Sequence, residues 1–427
     1  MRLVNLPKLV FYFFKGLERN FKIIRYGDVP KIYESSMYLE KYAFADGRVL
    51  SYFSIVKELL RHLLRPVQKI YKIPNSDVLF CGGSSNNEKE FIFFSGLLSG
   101  NFPVASYSRE KNLSFVLAHE KKKTLGELAL AVLIFFLCGC YFFRIKMGPM
   151  SFKYLVVYSK IYLQVFCSFQ RARQIPKLMV VANDHTDFPV AASMIMKYFG
   201  VQVAYVQHAE ISEAFPPLDF DISILRNQKS LDKYRAIGCV SGDTFIIPRA
   251  EKHAAFKKIT QGVRSPPQVI LYLSSVFDPD AVRDCIELLS KNPGVAAVGI
   301  KHHPRASMSM LQECSGITIY EQVPQFSHIA IVPNSSVAIE LLEQGVAVFQ
   351  YFALDSIDAD YYGLVEDSVT LAIARQDLLQ SFWNTDFYDA AWLCRFTSYS
   401  PAVDESWREL VPTLTARVQA VLGQISR

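Results

Sequence analysis

Short β-rich runs alternate with helical segments in two separate parts of this 427-residue chain. In the first part the β-rich runs are PKLMVVAND, VQVAYVQHAE and FDISILRN, with the helical segment FPVAASMIMKYFG between the first two. In the second part they are QVILYLSS, VAAVGIKHHP, GITIYEQ, HIAIVPNSS and VAVFQYF, with helical segments DAVRDCIELLSKNPG and SVAIELLEQG among them. Strands that alternate with helices predict a parallel sheet covered on both faces. The predicted fold class is therefore α/β, with two Rossmann-like domains.

The stretch between the two parts and the stretch before the first lack this alternation. From Cys239 to Pro267 the pattern is lost, which predicts a linker between domains. Residues 1 to about 75 are basic and helical in pattern, as in KELLRHLLRPVQKIYKI. An N-terminal helical basic extension is therefore expected before the first sheet.

Charge and cysteine usage exclude several classes of protein. The net charge is +6, without the dense basic stripe typical of a nucleic-acid-binding protein. None of the eight cysteines lies in a CxxC pair, which argues against a zinc site and against a disulfide framework. They are expected to be reduced, buried thiols of a cytoplasmic protein.

Two apolar segments lie next to basic residues. The N-terminus, MRLVNLPKLVFYFFKGLERNFKIIRYG, lacks the features of a signal peptide. It predicts either an amphipathic helix on a membrane or a helix packed on its own domain. The run LALAVLIFFLCGCYFF, residues 128–143, is shorter than the roughly 20 residues that span a bilayer. It predicts a buried or membrane-dipping helix, with a true span as the alternative; its basic flanks favour anionic headgroups.

Two neighbouring strands of the first part end in polar residues. One ends at Asp184 and His185, with Asp187 two positions further, and the next ends at His208 and Glu210. Because carboxyl ends of parallel strands meet at one edge of a sheet, these side chains are predicted to share a rim. A carboxylate there could take a proton from an acceptor hydroxyl. Two alternatives stay open: Asp184 caps the next helix, or the two histidines bind a metal ion, although neither HxH nor HExxH spacing is present.

A strand of the second part, VAAVGIKHHP, ends at two adjacent histidines. Strand alternation predicts Lys301 and His303 on one face and His302 on the other. Pro304 ends the strand pairing and Arg305 follows it. A histidine between cations can donate an N–H to a phosphate oxygen. We therefore predict an anion-binding group at 301 and 303–305, with a purely structural histidine as the alternative.

The segment HIAIVPNSSVAIELLEQG predicts a strand, a tight turn at Asn334, Ser335 and Ser336, and then a helix. A helix start carries free N–H groups and partial positive charge, which suits a phosphate; plain N-capping is the alternative. Glu340 shares a helix face with Ser336 and could accept hydrogen bonds from ribose hydroxyls. Glu321 ends the strand before this segment, where it either contacts the nucleoside or belongs to a solvated rim.

The HP pair at 303–304 and the SS pair at 335–336, in a chain of two α/β halves, resemble the HP and Ser-Ser/Thr motifs of bacterial sialyltransferases. The layout is also similar to capsule and lipopolysaccharide transferases that use CMP-activated sugars, including bacterial Kdo transferases, and to the C-terminal half of CDP-glycerol transferases. The segment NDH…QHA…FPPLDFD resembles the N-terminal half of the capsule-type members. The resemblance covers residues 176 to 365.

This resemblance implies a GT-B glycosyltransferase that needs no metal or cofactor and holds its donor on the C-terminal domain. It implies that His303, Ser335 and Ser336 hold the donor phosphate, and that Asp184 lies where an acidic catalytic residue is expected. Residues 1–245 would form the acceptor-side domain with helical membrane-proximal insertions, residues 265–400 the donor-binding domain, and residues 401–427 a C-terminal helix.

The expected function is transfer of a sialic acid- or Kdo-like sugar from a CMP-activated donor to a surface polysaccharide or lipid-linked glycan. The expected partners are the nucleotide-sugar donor, a glycan acceptor and the inner face of the cytoplasmic membrane, and not nucleic acid. A nucleotide-sugar epimerase, a CDP-glycerol transferase and a pyruvyl transferase are alternatives on the same scaffold. A non-catalytic membrane-associated scaffold is the alternative of another class, and its function would survive Asp184→Ala and His303→Ala.

Overall fold

A computed structural model of the chain describes residues 4–26, 67–99, 108–145, 149–212, 215–249, 266–274, 277–303, 317–355, 359–383, 387–400 and 405–423, with isolated positions at 53, 56, 57, 60, 61, 65 and 259. Its α-helices are α1 Leu6–Tyr26, α2 Ser85–Ser99, α3 Leu125–Ile145, α4 Pro149–Arg171, α5 Asp187–Phe199, α6 Gln228–Ile237, α7 Pro279–Lys291, α8 Val337–Glu343, α9 Ala390–Phe396 and α10 Leu410–Gly423. Its strands are β1 Val67–Tyr71, β2 Val78–Cys81, β3 Ala118–Lys122, β4 Leu178–Val181, β5 Gln202–Val206, β6 Ile222–Leu225, β7 Asp243–Ile246, β8 Gln268–Tyr272, β9 Ala297–Lys301, β10 Thr318–Tyr320, β11 Ile329–Val332, β12 Ala347–Gln350 and β13 Leu371–Ala372.

The first sheet has five parallel strands in the order β2-β4-β5-β6-β7. Its central strands are short apolar runs because both faces are covered. In β4, Met179 and Val181 join the core that includes α1, α4 and α5. Leu178 and Val180 point to the other face and join the core formed with α2 and α10. The carboxyl ends of all five strands therefore meet at one edge.

The second sheet has six parallel strands in the order β10-β9-β8-β11-β12-β13. Its core contains the fully buried strand residues Leu271, Ile300 and Ile331, with Leu341 from α8 and Leu289 from α7. Parallel strands joined through helices make this a second Rossmann-like layer. The predicted α/β class with two Rossmann-like domains is confirmed.

The edge strand β7 corrects one sequence prediction. The segment from Cys239 to Pro267 is not linker at its start, because Asp243–Ile246 pairs in parallel with β6. Within this strand only Phe245 is buried. An edge strand covered on so little of its surface lacks the continuous apolar run that marks the central strands.

The N-terminal helix packs on its own domain. Leu9, Phe13 and Leu17 of α1 are fully buried in the first core. The Phe13 ring lies 5.5 Å and 5.3 Å from the ring centres of Tyr158 and Tyr162 in α4. Of the two interpretations of this segment, the packed helix is the one found over residues 6–19.

The apolar run at 128–143 lies in α3, and it has one buried and one exposed face. Ile134 and Cys138 are buried against the first core, whereas Val132 and Phe136 are 53% and 67% exposed. Within the described ranges, no helix is both long and apolar enough to cross a membrane.

The last helix, α10, returns to the first half of the chain. Leu414, Val418 and Val421 are buried in the core beneath β2, β4 and β6. Arg417 forms an ion pair with Asp243 at the start of β7. The C-terminal residues thus belong structurally with the N-terminal sheet.

The described cysteines are all free, and their burial differs in part from the sequence prediction. Four are buried as expected, but three are exposed at helix or loop surfaces: Cys140, Cys239 and Cys394.

Candidate active site

A tight turn at the carboxyl end of β4 brings Asp184 and His185 to the edge of the first sheet. The Asn183 Oδ1 atom accepts hydrogen bonds from the backbone N–H groups of His185 and Thr186, at 3.0 and 2.8 Å. These bonds hold the turn before α5. The side chain of Asp184 takes no part in capping that helix, so it is available for another interaction.

The carboxylate of Asp184 is buried and holds three groups together. Its Oδ1 lies 2.8 Å from His185 Nδ1, and its Oδ2 accepts a hydrogen bond of 2.8 Å from the Tyr234 hydroxyl. The Arg19 Nε donates to the Asp184 carbonyl oxygen at 2.8 Å, and the Arg19 guanidinium lies 4.0 Å from Oδ2. Arg19 comes from α1, which joins the N-terminal helix directly to this rim.

The surroundings of Asp184 keep it ionised. Burial by itself raises the pKa of this carboxyl, but the hydrogen bond and charge of His185, the charge of Arg19 and the Tyr234 bond outweigh burial and leave the pKa below its ordinary value. Arg19 is itself buried and also pairs with Asp219. Asp184 therefore acts on its neighbours as a fixed negative charge.

His185 and His208 lie side by side at the ends of β4 and β5. Their ring centres are 6.4 Å apart and their planes differ by 30°, and the edge of Phe215 contacts His185 at 5.1 Å. His185 is partly exposed. Burial, followed by the proximity of His185, lowers the pKa of His208 to about 4, so its ring is neutral near pH 7. The His208 Nδ1 has no hydrogen-bond partner among the described residues.

The other two carboxylates predicted at this rim have local partners. Asp187 is the first residue of α5, and its Oδ1 accepts from the Phe188 N–H at 3.0 Å. Burial raises the pKa of Asp187 above its ordinary value. Glu210 is buried and accepts hydrogen bonds from Asn227 Nδ2 at 3.2 and 3.3 Å. Burial also raises the pKa of Glu210.

A cavity of about 280 Å³ lies between the two halves of the chain. The first half contributes the carboxyl ends of β5, β6 and β7 and the start of α2, and the second half contributes α8. Its lining residues are Asn86, Lys89, Glu90, His208, Arg226, Arg249, Glu340, Glu343 and Gln344. The predicted rim residue His208 and the predicted nucleoside-binding residue Glu340 are thus brought to one space.

A buried ion-pair cluster in this cavity escaped sequence reasoning. Glu90 of α2 accepts from Arg226 at 3.0 Å and from Arg249 at 2.6 Å. Arg226 also lies 3.8 Å from Glu340, across the two halves. Arg226 and Arg249 follow β6 and β7, and this position after a strand was the only feature of the sequence that could have marked them as site residues. The four side chains come from α2, from the ends of β6 and β7, and from α8, so no local sequence pattern records their pairing.

Two further polar contacts join the halves beside this cavity. Lys229 of α6 pairs with Asp367, and the Lys233 Nζ donates to the Tyr362 carbonyl oxygen. Both lysines lie on the helix that follows β6. The first two turns of α6 therefore contact the loop before β13.

The two adjacent histidines of the second half lie just beyond their strand. Pairing of β9 with both neighbours ends at Lys301, so the prediction of strand alternation through His303 is wrong. The Lys301 Nζ donates to the His302 carbonyl oxygen at 2.7 Å, and the His302 Nδ1 lies 3.0 Å from the His303 carbonyl oxygen. Burial lowers the pKa of Lys301. Pro304 and Arg305 lie outside the described residues.

The turn before α8 contains the predicted Asn-Ser-Ser group. Asn334 is buried, accepts from the Tyr361 N–H at 2.9 Å and bonds the carboxylate of Asp355, so it anchors a neighbouring loop. The Ser335 Oγ accepts from the Val337 N–H at 3.4 Å. Ser336 is the N-cap residue and makes no side-chain capping bond.

The two remaining predicted residues are at the surface. Glu340, on α8, is about half exposed and faces Arg226. Glu321 follows β10 and is exposed. In the described part of the chain, no group of three or more histidine, cysteine, aspartate or glutamate side chains is arranged to hold a metal ion.

No protein-family profile matches the chain, and no curated protein sequence matches it. Among solved structures, the chain is similar to S. aureus MnaA in complex with UDP, with 12% identity and a TM-score of 0.48 over 83% of this chain and 98% of the other. It is similar to a putative UDP-N-acetylglucosamine 2-epimerase from Listeria monocytogenes, with 13% identity and a TM-score of 0.43 over 83% and 98%. It is also similar to a ugt transferase from Siraitia grosvenorii in complex with UDP, with 8% identity and a TM-score of 0.46 over 81% and 100%. Likenesses of this size assign neither a ligand nor an activity to this chain.

Proposed function

We propose that the protein is a glycosyltransferase of the GT-B type that moves a sugar from a nucleotide-activated donor to an acceptor hydroxyl. One observation carries this proposal: a cavity lies between the carboxyl ends of β5, β6 and β7 in the first half and α8 in the second half, and its lining residue His208 stacks beside His185 of the Asp184–His185 pair. Ligands of open parallel sheets bind at the carboxyl ends of strands. A cavity with such an edge on one side and the second half of the chain on the other suits a reaction between two substrates.

In this proposal His185 is the general base. Asp184 accepts a hydrogen bond from His185 Nδ1–H at 2.8 Å, which fixes the proton on that nitrogen and leaves Nε2 free to take the proton of the acceptor hydroxyl. As the hydroxyl oxygen attacks the anomeric carbon, the bond to the donor phosphate breaks. The imidazolium that forms is stabilised by the buried carboxylate. Asp184 is then a positioning residue, and the base is the histidine next to it.

The donor is assigned to the second half. Lys301, His303 and the Ser335–Ser336 turn hold the leaving phosphate, and Glu340 accepts hydrogen bonds from the ribose. The motif resemblance favours a CMP-linked, sialic acid- or Kdo-like sugar, and a surface polysaccharide or lipid-linked glycan as the acceptor. The chemistry requires no metal, because cationic side chains and N–H donors can stabilise the leaving phosphate.

The proposal includes contact with the inner face of the cytoplasmic membrane through the exposed face of α3. Leu128, Val132 and Phe136 are spaced four residues apart and are 38%, 53% and 67% exposed, so they form one apolar stripe. Lys121 and Lys122, on β3 just before this helix, are exposed. Apolar area next to cations suits an anionic lipid surface. Sedimentation with anionic vesicles tests this contact.

Thermal unfolding with CMP, CDP, UDP and GDP, without metal, tests the donor assignment. A ligand at 100 times its Kd stabilises the folded state by about 2.7 kcal/mol, which raises the Tm by a few degrees. We expect stabilisation by CMP that is lost in His303→Ala and retained in the control His119→Ala, an exposed histidine of β3. Stabilisation by UDP alone would contradict the CMP assignment.

The same samples separate the other functions. A pure nucleotide-sugar epimerase would convert its nucleotide sugar without any acceptor and would not release the nucleotide; product analysis by NMR distinguishes the two reactions. Absence of any nucleotide effect would contradict both enzymes and favour a scaffold. In that case Asp184→Ala and His303→Ala would also leave cellular function unchanged.

A further inference from the structure

A groove of about 850 Å³ lies between the β1–β3 ribbon and the carboxyl end of α4. It shares no lining residue with the cavity between the two halves of the chain. The ribbon is antiparallel, with Ile70 opposite His119. One wall of the groove is apolar and includes Ile73, Phe115 and Leu117. Leu117 is 87% exposed, so the apolar wall continues to the protein surface.

Cations surround this apolar wall. The lining includes Lys72, Lys121, Arg171 and Arg173, and its one acidic residue is Glu110. Arg171 is neutralised by Glu127, which accepts from its guanidinium at 2.6 Å. Three exposed cations therefore remain against one carboxylate. The excess of positive charge favours binding of an anionic group, and the apolar wall favours burial of an apolar chain.

The groove lies between the catalytic rim and the apolar stripe of α3. On one side, the Tyr71 ring contacts Phe188 at 5.5 Å, and Phe188 follows Asp187 at the start of α5. On the other side, Arg171 bonds Glu127 in the first turn of α3. Leu125 in that turn is 84% exposed. A molecule in the groove could thus reach from a lipid surface toward the reacting hydroxyl.

We propose that this groove binds the anionic lipid end of a lipid-linked acceptor. Its phosphate lies among Lys72, Lys121 and Arg173, and the first carbons of its chain lie on the apolar wall. The identification as an acceptor rests on the proposed glycosyltransferase function. A nucleotide donor suits the groove less well, since it presents no long apolar chain to the wall.

Soluble amphiphiles test the site in the full chain. Isothermal titration calorimetry compares the binding of octyl phosphate with that of two control ligands. Octyl glucoside has the same alkyl chain with a neutral head group, and inorganic phosphate has the anionic group without a chain. We expect octyl phosphate to bind at least about tenfold more tightly than either, a difference of about 1.4 kcal/mol in binding free energy. Equal binding of octyl glucoside, or equal binding of inorganic phosphate, would overturn the proposal.

Paired charge reversals locate the binding. Lys121→Glu with Arg173→Glu removes two exposed cations of the groove and is expected to weaken octyl phosphate binding at least about tenfold. The matched control reverses Arg235 and Arg283, which are exposed on α6 and α7 and do not line the groove. An equal loss in the control would mean that general charge attraction is responsible. Loss of vesicle sedimentation with unchanged octyl phosphate binding would assign these cations to the bilayer instead, and would also overturn the proposal.

Nucleotide stabilisation is measured on the same preparations, so the two proposals fail separately. A retained nucleotide effect with no octyl phosphate binding refutes the groove and leaves the proposed function intact. Octyl phosphate binding with no nucleotide effect refutes the enzyme, and the groove is then an amphiphile site without an assigned reaction.

Discussion

Replacement of Asp184 by asparagine keeps the shape of the side chain and removes its charge. In the structure, His185 Nδ1 and the Tyr234 hydroxyl each lie 2.8 Å from a different oxygen of this carboxylate. An asparagine offers one acceptor oxygen, so one of the two donors is left facing an NH₂ group. A stranded buried donor costs about 1–3 kcal/mol. We expect this loss in the free energy of unfolding, measured in urea near pH 7.

The same change is expected to slow catalysis much more than it weakens donor binding. Without the carboxylate, His185 loses the acceptor that fixes its proton on Nδ1, and the imidazolium loses its counter-charge. A positioned base contributes about 10²–10⁴ to the rate, so a fall of about 10² in kcat, or about 2.7 kcal/mol, is expected. The assay is nucleotide release from the donor, and the KM for the donor should hardly change.

Tyr234→Phe is the matched control for this prediction. The Tyr234 hydroxyl bonds Asp184 and lies 3.3 Å from the Tyr205 hydroxyl, and its removal leaves the Asp184–His185 pair in place. It should lower stability by about 1 kcal/mol and lower kcat by less than about tenfold. If both variants reduce kcat equally, or if Asp184→Asn leaves kcat unchanged, His185 is not the base that Asp184 positions.

Two further predictions concern pH and the membrane. The pKa of Asp184 is lowered in the folded state, so its contribution to stability is complete above its ordinary pKa of 3.8 and is lost as the pH falls through the lower folded value. The pKa of Glu210 is raised from 4.5, so its contribution to stability is complete below that pH and is lost as the pH rises through the folded value. In urea unfolding between pH 4 and 7, the Glu210→Gln variant should therefore gain stability relative to the parent protein as the pH rises. A difference in stability that stays constant with pH would refute this prediction. Phe136→Asp should reduce sedimentation with phosphatidylglycerol vesicles by at least about tenfold. The control Phe326→Asp, which replaces an exposed phenylalanine of the second half, should leave sedimentation unchanged. Equal effects of the two changes would refute membrane contact through α3.

The amino-acid sequence by itself determined most of both sheets. Runs such as LMVV, VAYV and IAIV are short and continuously apolar, as strands covered on both faces have to be. Because the carboxyl ends of parallel strands meet at one edge, these runs also determined that Asp184, His185 and His208 share a rim. The edge strand β7 was missed because only Phe245 in it is buried.

The roles of the rim residues depended on the tertiary structure. Arg19 and Tyr234, which hold Asp184, lie 165 and 50 positions away in the chain. Glu90 lies 136 and 159 positions from the two arginines that it binds. Burial repeats along a helix or strand with the geometry of that element, so it leaves a periodic pattern in the sequence. A pairing between distant side chains leaves no such pattern, because only the packing of separate elements creates it.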